Sequence, residues 1–224
     1  MRLLSIAENI SSIREGIPES VTLVCVTKTK SVIEIKEAFD ANERDFGENK
    51  VQELLDKIEC FDSSVRWHLL GHLQTNKVKY IVGKVFLIHS LDSVKLLNEI
   101  EKRYSQQDLV ANVLIQINIG QEESKTGIFE ENLEKLLLEV EKCSNVKVKG
   151  LMAVIPKGDK EANKCYFSEM KRIWESLKQK QYKNVTMEYL SMGMTNDYKE
   201  AINEGSNMIR IGEGIFGKRN NNKI

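Results

Sequence analysis

Short apolar runs rich in β-branched residues recur along the chain, and segments of helical period separate them almost from end to end. No other feature constrains the fold as strongly. Strands joined through helices pair in parallel and are covered on both faces, so the alternation predicts an α/β protein. The expected strands are residues 23–27, 44–47, 67–71, 85–91, 112–119, 148–155, 186–193 and 208–216. Between them apolar side chains fall on single helical stripes: Val32, Ile35 and Phe39; Val51, Leu54, Leu55 and Ile58; Leu133, Leu136, Leu137 and Val140; Phe167, Met170, Trp174 and Leu177. Leu3, Ile6, Ile10 and Ile13 predict an extra helix ahead of the first strand. Eight strands in this pattern are what a closed, TIM-type (β/α)8 barrel requires. A doubly wound open sheet is the arrangement that periodicity alone leaves in competition.

The runs VLIQINI and FLIHSL carry few polar residues, as strands buried on both faces do. The only prolines are Pro18 and Pro156, and no Gly/Ser-rich linker divides the 224 residues. One domain over residues 1–217 is expected, followed by a flexible tail, KRNNNKI, over 218–224. Composition then removes several function classes. Lys and Arg total 33 against 33 Asp and Glu, which argues against nucleic-acid or anionic-membrane binding by the surface as a whole. No run approaches the ~18 apolar residues of a membrane span. The start MRLLSIAENISSIREG lacks the apolar centre of a signal peptide, so a cytoplasmic protein is expected. Cys25, Cys60, Cys143 and Cys165 are far apart and read as reduced thiols. Without export, the acceptor tripeptides at Asn9 and Asn184 have no consequence.

In parallel α/β proteins, functional groups gather at the C-terminal ends of strands and in the loops that follow. Lys28 ends the apolar run LVCVT. Burial there disfavours its ammonium form, and a lysine below its usual pKa of ~10.4 is the type that condenses with aldehydes. Position alone, however, favours a lysine whose head escapes to solvent. Gly193-Met194-Thr195 precedes a helical segment, 197–204, where Thr195 can cap the helix and free N–H groups can face an anion. An ordinary N-cap leaves the same pattern, and does so more often. Arg210, inside the apolar run MIRIG, needs an acceptor or an anion, either a structural carboxylate or a ligand. Gly212 either admits a ligand close to the backbone or bends the strand.

Two motifs are set aside. Residues 212–217, GEGIFG, fit G-x-G-x-x-G, but the chain ends seven residues later, too soon for the acid ~20 positions on that a dinucleotide site needs. His68 and His72 have the spacing of a helical zinc pair, yet HLLGH has a central glycine and no nearby third ligand.

Seven segments, VTKTK, FGENKVQE, WHLLGHLQTNK, QINIGQEESKTGI, GLMAV, LSMGMTNDYKEAI and MIRIGEGIFG, run in order from Val24 to Gly217. Together they resemble the pyridoxal phosphate homeostasis protein family. FGEN, H-x-x-G-x-L-Q-x-N-K and S-x-G-M-[ST]-x-D are specific in combination. That family is similar to the barrel domain of alanine racemase, the fold-type III arrangement for pyridoxal 5′-phosphate (PLP). The resemblance implies a barrel rather than an open sheet, with no C-terminal β-domain. It also implies that Lys28 forms an aldimine with PLP and that Asn49 and His68 line the ring side. Ser191, Thr195 and the backbone N–H groups of Gly212 and Glu213 would hold the phosphate, with Arg210 facing the pyridine nitrogen. Lys125 matches a lysine suspected of assisting PLP transfer. Thr195 stands where serine is commoner, and Lys50 receives no role.

Arginine only donates, so a ring nitrogen facing Arg210 must stay unprotonated, and such a ring is a weaker electron sink. A carrier that holds PLP reversibly and supplies apo-enzymes is therefore the leading expectation, as a monomer. Two alternatives stand beside it: a PLP-dependent amino-acid racemase, and a cofactor-free barrel enzyme acting on sugar phosphates. The racemase reading needs a base on the other cofactor face, which racemases of this fold take from a β-domain tyrosine.

Overall fold

The structure is a computed structural model and describes residues 4–122 and 125–218. Of the expected tail, only Lys218 falls within that range.

Eight parallel strands close into a barrel in sequence order. They are β1 (Thr22–Val26), β2 (Asp45–Glu48), β3 (Arg66–Leu69), β4 (Leu87–Leu91), β5 (Ala111–Ile117), β6 (Val146–Ala153), β7 (Val185–Ser191) and β8 (Met208–Ile211). Closure is made by β8 against β1, with Thr22 to Cys25 opposite Met208 to Ile211. That pairing excludes the open sheet. The strand expected over 208–216 is shorter than the sequence suggests: Phe216 N–H bonds to Gly212 O, and Glu213–Phe216 form a short helix. The continuous apolar pattern there hides the change, because helix and strand both bury Ile215 and Phe216.

The helices are α1 (Ile6–Glu15), α2 (Val32–Asp40), α3 (Val51–Ile58), α4 (Val94–Ser105), α5 (Leu133–Val140), α6 (Lys160–Lys178), α7 (Tyr198–Asn203) and α8 (Glu213–Phe216). Between β3 and β4 the chain makes only a 3-10 helix, Thr75–Tyr80. Ser5 with Glu8 and Ser31 with Glu34 form reciprocal capping boxes that start α1 and α2. The extra helix α1 buries Ile10 and Ile13 and packs against α2 and α8, where Asn9 Nδ2 donates to Ile215 O at 2.9 Å. No helix of the described residues is long and apolar enough to cross a membrane.

Most of the core lies between barrel and helices, in two clusters of buried aliphatic and aromatic side chains. The barrel interior is different. Only Val24, Leu87, Leu114, Met152 and Met208 form its apolar plug, backed by Leu70 and Tyr189. The period-2 alternation that puts Val24 inside the barrel also aims Val26, and then Lys28, toward its C-terminal mouth.

Candidate functional site

A cavity of about 820 Å³ opens at the C-terminal ends of β1, β6, β7 and β8. Lys28, Thr195, Arg210, Gly212 and Glu213 all line it, so five of the nine residues singled out from the sequence meet in one place. The β6–α6 connection, from Pro156 to Asp159, and Lys160 at the start of α6 also line it.

Lys28 is half-buried at the head of a strained turn. Thr29, next to it, has φ 65°, a left-handed conformation that costs a β-branched residue of order 1–3 kcal/mol. The turn is held from behind by a buried ionic cluster. Lys57 Nζ donates to Thr27 O at 2.9 Å, Glu48 Oε1 at 2.7 Å and Glu53 Oε1 at 2.9 Å, and Glu53 also accepts the Thr29 N–H. Lys30 is committed elsewhere: its ammonium donates to Phe216 O at 2.8 Å and pairs with Glu34 at 3.2 Å.

Arg210 forms part of the cavity floor. It is 5% exposed, and Nη1 donates to Ser191 Oγ at 2.7 Å while Nη2 donates to Ala153 O at 2.8 Å. Both acceptors are neutral, and no described carboxylate lies within ion-pair distance. Burial lowers the Arg210 pKa to about 10, offset only in part by the charge of Asp197. Asp197, on the same cavity wall, is itself pushed up by burial, against the Met194 N–H that it accepts at 2.6 Å.

Thr195 does not cap α7. That helix starts at Tyr198 after Asp197, and Thr195 Oγ1 instead accepts the Gly214 N–H at 3.2 Å, tying the β7 loop to the start of α8. This leaves its own hydrogen for another acceptor and sets it beside Gly212 and Glu213. Gly193 makes the turn possible, with φ 93° and room only for hydrogen, since a Cβ would come 2.6 Å from that of Ala201.

The other four residues lie elsewhere. Ser191 is fully buried in the barrel interior, bonded to Arg210 and not exposed to the cavity. His68 is also buried there, between Asp45 and His89, on the inner face of β3. Asn49 follows β2 and is half-buried; it touches Gly71 so closely that a Cβ on the glycine would fall 2.3 Å from Asn49 O. Lys125 is exposed on the loop after β5 and does not line the cavity. His72 is exposed and pairs with Asp92 at 3.0 Å, not with His68.

Three contributors escape a reading of the sequence. His89 and Asp45 lie in the barrel interior and Lys57 on the buried side of α3, and none stands at a strand's C-terminal end. The available signal was a polar residue inside a run that is otherwise apolar on both faces, as in FLIHSL.

Residues 1–220 match the family described as alanine racemase, N-terminal domain. A pyridoxal phosphate homeostasis protein of Aquifex aeolicus is 43% identical over 199 residues, covering 88% of this chain and 86% of its own. The structure of PipY from Synechococcus elongatus PCC7942 with PLP bound superposes with a TM-score of 0.87 at 31% identity, covering 95% of this chain and all of that one. An alanine racemase of Clostridium difficile shares the fold at a TM-score of 0.79 and 14% identity; this chain spans 58% of its length.

Proposed function

Because the chain belongs to the pyridoxal phosphate homeostasis protein family, within the wider alanine racemase N-terminal domain family, we propose that it binds PLP in this cavity and holds it reversibly for delivery to apo-enzymes. The observation that carries the reading is Arg210. A buried guanidinium held only by neutral oxygens, in the same cavity as a half-buried lysine, suits a ligand that offers a neutral acceptor to one and an electrophile to the other. The residues present therefore fit PLP. Arg210 would face its ring nitrogen, and the Thr195 hydroxyl with the backbone at Gly212 and Glu213 would bind its phosphate. PLP would supply an aldehyde, with which the Lys28 amine could condense reversibly, releasing water.

A carrier working in the cytoplasm as a monomer needs nothing beyond this. Arg210, which can only donate, would leave a facing ring nitrogen unprotonated and so weaken the pull on electrons that amino-acid chemistry requires. Among the described residues no tyrosine lines the cavity, which supports binding without turnover. The exposed position of Lys125 suits contact with a receiving protein better than contact with bound PLP.

Borohydride treatment of the PLP-loaded protein is expected to fix the adduct on Lys28, and Lys28→Ala to abolish the associated absorbance without unfolding the protein. An adduct mainly on Lys30 or Lys125 would overturn the assignment. The loaded protein is expected not to exchange the α-hydrogen of alanine or other common amino acids for deuterium faster than free PLP does. Lys28-dependent exchange over multiple turnovers would replace the carrier with the racemase.

A further inference from the structure

The barrel interior holds a polar chain that PLP binding alone does not explain. Beyond the Arg210–Ser191 bond, Ser191 Oγ lies 3.3 Å from His89 Nδ1, and His89 Nε2 lies 2.9 Å from His68 Nδ1. His68 Nε2 lies 3.0 Å from Asp45 Oδ1. At the far end Arg66 grips Asp45 with two bonds, Nε at 2.7 Å and Nη2 at 2.5 Å. The chain thus crosses the lumen from the cavity floor to the first residue of β2, and His68, His89 and Ser191 are wholly buried.

We infer that His89, acting through the Ser191 hydroxyl, positions the Arg210 guanidinium and keeps its charge directed at the cavity, because the chain runs in one direction with both imidazoles neutral. The ends set the direction. Arg210 can only donate and an ionised Asp45 can only accept. The Ser191 hydrogen then goes to His89 Nδ1, the His89 Nε2–H to His68 Nδ1, and the His68 Nε2–H to Asp45. The reverse direction requires a cationic His68. That would add a second buried cation, His68, to Arg210 on a chain whose acid, Asp45, the exposed Arg66 already neutralises. Burial, with the charge of Arg210 nearby, also holds the His89 imidazole well below its ordinary pKa. In the forward direction Ser191 turns only a lone pair toward Arg210, so its oxygen is fixed in place without adding a charge that would compete with a ligand.

The direction of the chain is independent of the ligand; the effect on binding rests on the PLP reading. The chain contains only three histidines, so 15N-histidine spectra of the ligand-free protein near neutral pH can be assigned directly, with surface His72 as reference. Both His68 and His89 are expected as neutral Nε2–H tautomers. An imidazolium at His68, or an Nδ1–H tautomer at either ring, overturns the inference whether or not PLP binds. Dissociation constants for PLP and for its carbocyclic analogue, which lacks the ring nitrogen, test the positioning. His89→Phe, which leaves the buried Ser191 hydroxyl without its acceptor, is expected to weaken PLP about tenfold and to affect the analogue little. His89→Gln, whose amide can donate to His68 and accept from Ser191, should restore most of the preference. Equal losses for both ligands, or no rescue by glutamine, would refute it. If the wild-type protein takes up no PLP, the binding role alone fails and the spectra decide the chain.

Discussion

Strand β2 carries two acids on opposite faces, and their surroundings diverge. Asp45 faces the lumen; burial works to raise its pKa, but hydrogen bonds from Arg66 and His68 hold it down at about 2. Glu48 faces the helices, in step with Phe46 of the outer core, and burial pushes its pKa up despite Lys57 and Thr27. In the outer cluster Lys57 is shared between Glu48 and Glu53, and its bonds hold the Thr27–Thr29 turn behind Lys28. The inner chain is neutralised at the Asp45 end and terminates at the cavity in an arginine that, among the described residues, has no carboxylate within ion-pair distance, Asp197 acting on it only from farther along the wall. Two buried polar clusters that share a strand thus have opposite uses: one stabilises a conformation, and the other presents a charge.

The sharpest way to break the comparison is Lys57→Met. It strands the fully buried Glu48, and the expected loss is about 3–5 kcal/mol in urea unfolding, the usual cost of removing one partner of a buried pair. A loss below about 1 kcal/mol would mean that the cluster does not hold the turn. Arg210→Met should do the reverse. It strands no carboxylate, so stability is expected to change by no more than about 1 kcal/mol, while PLP affinity falls by about 2 kcal/mol in a titration. Equal damage to fold and binding would remove the distinction between the clusters.

The two acids also differ in the sign of their pH dependence. A carboxyl depressed from 3.8 to about 2 contributes about 2 kcal/mol above its unfolded pKa, and this is lost as pH falls toward 2. Glu48, raised instead, becomes less costly as pH falls. Asp45→Asn is therefore expected to flatten the decline of stability between about pH 4 and pH 2, measured by urea midpoints across that range. An unchanged acid profile would show that Asp45 is not the group titrating there.

Local sequence determined a great deal of this protein. Alternating periods specified all eight strands and the extra helix α1, because burying apolar stripes is a local requirement that each segment meets in the same way. The rule that chemistry collects at strand C-termini singled out Lys28, Thr195, Arg210 and Gly212, and the family resemblance added Glu213; all five line the cavity. The end of β8 at Ile211 was not legible, since the residues that follow stay apolar through the change to helix. Nor was the inward position of Ser191, one strand residue before the loop that reaches the cavity. Lys57 reaches Thr27 across 30 positions, Asp45 meets His68 across 23, and Arg210 meets Ala153 across 57. Such partners are chosen by barrel closure, strand register and the side of the sheet on which each residue falls. Only the tertiary structure could decide which buried charges would be neutralised and which one would be left facing the cavity.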